Sequence, residues 1–224
     1  MKKLIALLLL LLTIIVCSSF TSNEEVIVSE QKQFSIDSIS STERKYKTQE
    51  INTCGLGNVK SYMDYRAITN TASLQYKYIE EHITVDEETG FLYDEDGFIG
   101  AALGSYYGKI GDRYYFTLEN GVEVPIVKIE SKADIHTDGS NCYNPNDGSV
   151  IEFVVDTDKA TEYFGQYGNN LVLSGNYGNY PLLKGQIIKA EKVLDEKIES
   201  PISYQIEKND TNKDIDIFYY ASGY

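Results

Sequence analysis

The stretch RYYFTLENGVEVPIV, residues 113–127, alternates large apolar with polar side chains, turns at Asn120-Gly121 and resumes at Val122 and Val124. Tyr114, Phe116 and Leu118 fall on one side, the period of two that a half-buried strand needs. An Asn-Gly pair accepts the positive φ of a two-residue hairpin turn. The stretch therefore reads as a β-hairpin, and it sets the class of fold for the residues around it.

Runs of the same kind follow: SVIEFVVD at 149–156, NLVLSG at 170–175 and LLKGQIIKAEKV at 182–193, each short, rich in apolar residues and bounded by Gly, Asn or Asp. ISYQIEKNDTNKDIDIFYY adds a C-terminal hairpin, with Ile202, Tyr204 and Ile206 facing Ile215, Ile217 and Tyr219. One helix is predicted over NTASLQYKYIEEHI, residues 70–83, capped by Asn70 or Thr71 and placing Leu74, Tyr78 and Ile79 on one face. Short strands without regular strand-helix alternation favour a barrel or sandwich over a doubly wound parallel sheet.

The chain opens with MKKLIALLLLLLTIIVCSSFTS, two lysines ahead of an apolar run from Leu4 to Val16, the pattern of an export signal over residues 1–22. The run is too short to span a bilayer comfortably. Cys17 is a candidate lipid anchor, with cleavage among Ser18 to Ser22 as the alternative, and either route places the mature protein outside the cytoplasm. Residues 23–52 mix Ser, Glu, Lys and Gln and read as a flexible acidic tether. The folded domain is expected over 53–194, with the C-terminal hairpin occupying 195–224.

The chain carries 34 acidic and 20 basic residues, a net charge of −14, and loss of Lys2 and Lys3 with the leader takes it to −16. That balance excludes the clustered cations that phosphate binding requires, so nucleic acid and anionic lipid are not expected partners. Cys54 and Cys142 remain after the leader and are disulfide candidates in an oxidising compartment. A zinc site lacks its CxxC spacing.

SKADIHTDG, residues 131–139, places Asp134, His136 and Asp138 at alternate positions. In an extended chain they would share a side and could bind a divalent cation; as turn formers they would instead satisfy backbone N–H groups. HExxH, GxSxG and GxxxxGK[ST] motifs are all absent from the sequence. Carboxylates remain. Glu152, between Ile151 and Phe153, points either to solvent or into a pocket where desolvation would suit it to general acid work, and Glu130 is the next candidate. The chain's 19 tyrosines include Tyr106 and Tyr107 of ALGSYYG, which could line a sugar-stacking groove or simply serve as strand formers.

ALGSYYGKIGDRYYFTLENGVEVPIVKIESKADIHTDG, followed by GSVIEFVVD, resembles the double-psi β-barrel domains of the 3D group, related to type A lytic transglycosylases and more distantly to expansin-like barrels. The resemblance covers about residues 98–156, and SYMDYRAITNTASLQYKY and YPLLKGQIIKAEKV look like flanks that exported Firmicute proteins of unassigned role carry beside this barrel. It implies a mainly β fold, a six-stranded double-psi β-barrel with one short helix and an added C-terminal hairpin. It places the catalytic acid on Glu152 and a second acidic position on Glu130, with Glu130 or Asp134 tuning the acid and Asp134 or Asp156 as the alternatives for the active position. Tyr106, Tyr107, His136 and Asp138 would frame the groove. Enzymes of the group usually carry aspartate at both acidic positions, so this chain departs twice. The implied partner is peptidoglycan or another wall glycan, engaged by a monomer and cleaved at β-1,4 bonds without metal or cofactor; the alternative is a non-catalytic binding or structural barrel on the cell surface.

Overall fold

The computed structural model describes residues 44–165 and 173–198, together with Ile36 and Ile39. The leader with Cys17, most of residues 23–43 and the hairpin residues 199–224 lie outside the described residues. The strands are β1 (Tyr46–Ile51), β2 (Ser61–Asp64), β3 (Ile83–Val85), β4 (Leu92–Asp94), β5 (Ile99–Leu103), β6 (Arg113–Leu118), β7 (Glu123–Ser131), β8 (Glu152–Val155) and β9 (Ile187–Lys197). The helices are α1 (Leu74–His82) and α2 (Thr157–Phe164).

The strands form one mixed sheet in the order β1-β9-β6-β7-β5-β4-β3, with β8 also on β5 and β2 on β8. β5 runs parallel to β7 and β2 parallel to β8, while β6 pairs antiparallel with both β7 and β9. Since β7 occupies one edge of β5, β4 and β8 share the other, β4 at Ile99 and β8 at Ala101 and Ala102. The fold is mainly β. The nine strands exceed the six expected, the order is open-ended, and a second helix follows β8.

The 113–127 hairpin forms with Tyr114 opposite Ile126 and Phe116 opposite Val124. Its loop runs from Glu119 to Val122, four residues instead of the expected two: Gly121 N–H donates to Leu118 O at 2.8 Å and Gly121 alone takes a positive φ, +84°. Asn120 spends its carbonyl on Val122 N–H and its amide on the carbonyls of Pro181 and Leu182.

Alternation along the strands divides the core in two. Tyr114, Phe116, Leu118, Phe153 and Val155 face one layer with Phe91, Phe164 and Tyr177, whose rings meet edge-on or tilted at 5.1 to 5.7 Å. Leu92, Phe98, Ala102, Tyr115, Val127 and Val154 face the other, against Tyr78 and Ile79 of α1. Helix α1 begins later than its sequence signal because Ser73, not Asn70 or Thr71, accepts from Tyr76 N–H; Asn70 closes the preceding turn.

Helix α2 was not anticipated. Asp156 caps it, and Ala160 and Phe164, four apart, are its buried residues. Residues 46–51, read as tether, are strand β1 on β9, and Arg44 beside them donates to Glu123 and Glu191 while lying over the Tyr115 ring. Residues 173–175 of the expected 170–175 strand form a turn, and residues 195–197 continue β9.

Candidate functional site

β5 carries the centre of the site. Ala102 pairs with Glu130 of β7 across one edge and with Glu152 of β8 across the other. Paired residues project to the same face, so both carboxylates flank the alanine methyl, their backbones two strand spacings or about 10 Å apart. A bulge makes this possible. Ala101 pairs with Lys128 and Ala102 with Glu130, leaving Ile129 as the extra residue. In regular register Ile129 would oppose Ala102 and Glu130 would turn to the other side.

Glu130 accepts from Gln75 Nε2 in the first turn of α1 at 3.2 Å and from the Ser131 N–H at 2.6 Å. Glu152 heads β8, half-buried, with Ser61 of β2 as its other cross-strand partner. Burial pushes its carboxyl above the usual range; Lys132 pulls the other way, and Asp147 and Glu130 add to the rise. Lys132 Nζ lies 4.0 Å from Glu152 Oε2. That lysine is itself buried, donating to Ser149 O at 3.1 Å and Ser149 Oγ at 3.2 Å, and desolvation holds its ammonium below the ordinary value. A carboxyl that retains its proton more readily than a solvated one, on a face with partial access, is equipped to protonate a leaving oxygen and then act as base.

Asp134 and His136 sit in an exposed 3₁₀ turn, residues 134–136, which breaks the extended alternation needed to bring them together with Asp138. Asp134 accepts from Ser105 Oγ at 2.7 Å. Asp138 organises the next turn: it accepts from the N–H groups of Ser140, Cys142 and Tyr143 and from the Ser140 hydroxyl, which hold its carboxyl well below the carboxylate range. Among the described residues no three His, Cys, Asp or Glu side chains gather to hold a metal. Tyr106 is exposed and its hydroxyl donates to Asn52 O at 3.3 Å. Tyr107, expected on a groove, is 1% exposed and packs edge-on against Tyr114 and Phe116, because the turn over residues 105–107 points alternate rings outward and inward. Cys54 and Cys142 are bridged, with Cα atoms 5.8 Å apart, tying the segment before β2 to the loop after residue 139.

An open depression of about 580 Å³ lies over Gly108, Lys109, Asp112, Lys192 and Leu194; none of Glu130, Asp134 or Glu152 lines it. Lys132 and the Ile129 bulge were missed from sequence. The lysine stands two residues beyond Glu130, but nothing in SKAD marks it as buried. No protein-family model matches the chain, and no curated protein or solved structure matches it either.

Proposed function

We propose that this chain is an extracytoplasmic cell-envelope protein whose β domain is a double-psi barrel that engages wall glycan, with Glu152 as the acid/base of a lytic transglycosylase. The observation that carries the reading is the pairing of Glu130 and Glu152 on Ala102, which sets a half-buried carboxyl with a raised proton affinity beside a second acid. Strand order supports the barrel: the series β9-β6-β7-β5-β8-β2 contains both parallel pairs, and Ile187 N–H donates to Leu56 O at 2.9 Å, tying the segment before β2 to the start of β9, the two ends of that series. The export-like leader and the Cys54–Cys142 bridge support a compartment outside the cytoplasm. Cys17 is the anchor point if the leader is of the lipoprotein type.

In this reading Glu152 protonates the glycosidic oxygen of a β-1,4 bond as it breaks. The resulting carboxylate then takes the proton from the sugar's own 6-hydroxyl, which closes an anhydro ring without water. One carboxyl suffices, unlike the paired carboxylates of ordinary glycosidases. Glutamate in place of the group's aspartate moves the acid by one methylene, a displacement large enough to matter to a reacting geometry.

A second reading, a binding barrel without catalysis, draws on glutamate standing at both acidic positions, Glu130 and Glu152, where the group's enzymes carry aspartate. Mass spectrometry of the soluble products released from peptidoglycan by the purified protein separates the two. Anhydro-muropeptides that vanish with Glu152→Gln support the transglycosylase. Products with reducing ends would replace it by hydrolysis. Co-sedimentation with peptidoglycan without release would leave the binding barrel, and neither release nor co-sedimentation would end the glycan reading.

A further inference from the structure

We propose that Lys132 is a positioning residue for Glu152, its buried ammonium braced on Ser149 so as to fix the carboxylate's place and charge state. The inference rests on the reading of Glu152 as the acid/base of the site.

Three lysines are buried in the described structure, Lys60, Lys128 and Lys132. Lys60 Nζ donates to the carbonyls of Gly57 and Gly185, and Lys128 Nζ to those of Gly104 and Gly108. Those two staple loops together. Lys132 differs, because among the three its Nζ alone stands within ion-pair distance of a carboxylate, 4.0 Å from Glu152 Oε2. Burying an ammonium has a large desolvation cost, and a methionine would fill similar space without it, so packing does not account for the charge.

Both ends of the lysine are held. Its backbone N–H donates to Leu103 O at 3.1 Å, at the end of β5 and next to Ala102. Ser149, which takes two of its ammonium donors, is fixed in turn: its N–H donates to Asp147 Oδ1 at 2.8 Å, its carbonyl accepts from Asn144 N–H at 2.9 Å, and its hydroxyl lies 3.3 Å from Ser61 Oγ. A charge so anchored cannot follow the carboxylate; the carboxylate must come to it.

The charged groups acting on Glu152 are Lys132, Asp147 and Glu130, and those acting on Lys132 are Glu152 and Asp147. Within this set Lys132 is the one cation. It favours the carboxylate form, while burial and the two acids favour the protonated form. The proposed reaction needs both forms in turn, so removal of the lysine tilts the site toward the acid and weakens the step in which the 6-hydroxyl gives up its proton.

The test is a carboxyl ¹³C titration of Glu152 by NMR in the protein, in Lys132→Met and in Lys132→Arg. Loss of an opposite charge at this range predicts a rise of the Glu152 midpoint by about 1–3 pH units in Lys132→Met, largely reversed in Lys132→Arg. An unchanged midpoint in folded Lys132→Met overturns the proposal. If that variant does not fold, Glu152→Gln reads the pair from the other side: the Lys132 ammonium midpoint falls if the two are coupled, and its constancy overturns the proposal equally. Neither titration needs substrate. Absence of anhydro-muropeptides would therefore count against the transglycosylase and leave the pairing to the titrations.

Discussion

Glu130 and Glu152, 22 positions apart in the chain, share Ala102 as their cross-strand partner from opposite edges of β5. Across that small side chain the charge of Glu130 adds to the forces that raise the proton affinity of Glu152. A like charge nearby disfavours the ionised form of a carboxyl.

Glu130→Gln should therefore lower the Glu152 midpoint, the opposite sign to the effect of Lys132→Met. The cost in stability should be small, about 1 kcal/mol or less, because glutamine keeps an acceptor for Gln75 and for the Ser131 N–H. Carboxyl titration by NMR with a urea melt checks both. An upward movement of Glu152 would mean that Glu130 acts through geometry and not through charge.

What the sequence disclosed and what it hid divide along physical lines. The face of β6 bearing Tyr114, Phe116 and Leu118 was legible because period two is a local property, and all three are buried together. Glu130 was legible as an acid ending a strand and Glu152 as an acid inside an apolar strand run, which in the structure begins at that residue. Their shared partner was not, since it depends on the extra residue Ile129 in β7, and a bulge carries no signature in a run such as VKIES. β1 looked like tether because YKTQEI is mostly polar; pairing with β9 and the anchor of Arg44 on Glu123 and Glu191 hold it in the sheet. Tyr107 looked like its neighbour Tyr106, and only the turn geometry sends one ring inward. Burial of Lys132 is a tertiary outcome with no local trace.

That Arg44 anchor gives an acid-side prediction. Glu191, nearly buried on β9, accepts from Arg44, Lys189 and Thr48, and these bonds bring its carboxyl down to about 2. A lowered folded value gives stability that is full above the ordinary carboxylate range and is lost as pH falls toward 2. The stabilisation at neutral pH is about 3 kcal/mol. Urea melts at pH 7 and pH 3 should show Glu191→Gln less stable at neutral pH, with the gap narrowing in acid. A gap that does not narrow would assign the loss to packing.

The Cys54–Cys142 bridge closes a loop with a sequence separation of 88, for which chain entropy gives about 4.6 kcal/mol of stabilisation. Cys142 is fully buried and its N–H is held by Asp138, so the half of the bridge in the 138–143 turn has other supports. Reduction should lower the melting temperature by several degrees and expose the 52–57 segment before the 138–143 turn. Hydrogen exchange on the reduced protein checks the order. Equal exposure of the two segments would show that the turn depends on the bridge as much as the segment does.

Lys60 sets the behaviour on the alkaline side. Fully buried, with its ammonium donating to Gly57 O and Gly185 O, it is pushed down by desolvation to about 8. Below that pH both folded and unfolded chains carry the proton and the folded state bears the cost of a buried charge. Between about 8 and 10 the folded state sheds the proton first, the unfolded chain binds more protons, and stability rises with pH. Buried tyrosines then reverse the trend. Tyr78 and Tyr115 are pushed up to about 12 by burial, so above pH 10 the unfolded chain loses their protons first and stability falls. Stability measured by urea should therefore pass through a maximum near pH 9 to 10, and Lys60→Met should shrink the rising limb, to which Lys128 and Lys132, also held below the ordinary value by burial, contribute the rest, while leaving the falling limb. A rising limb of undiminished size in Lys60→Met would leave Lys60 charged throughout.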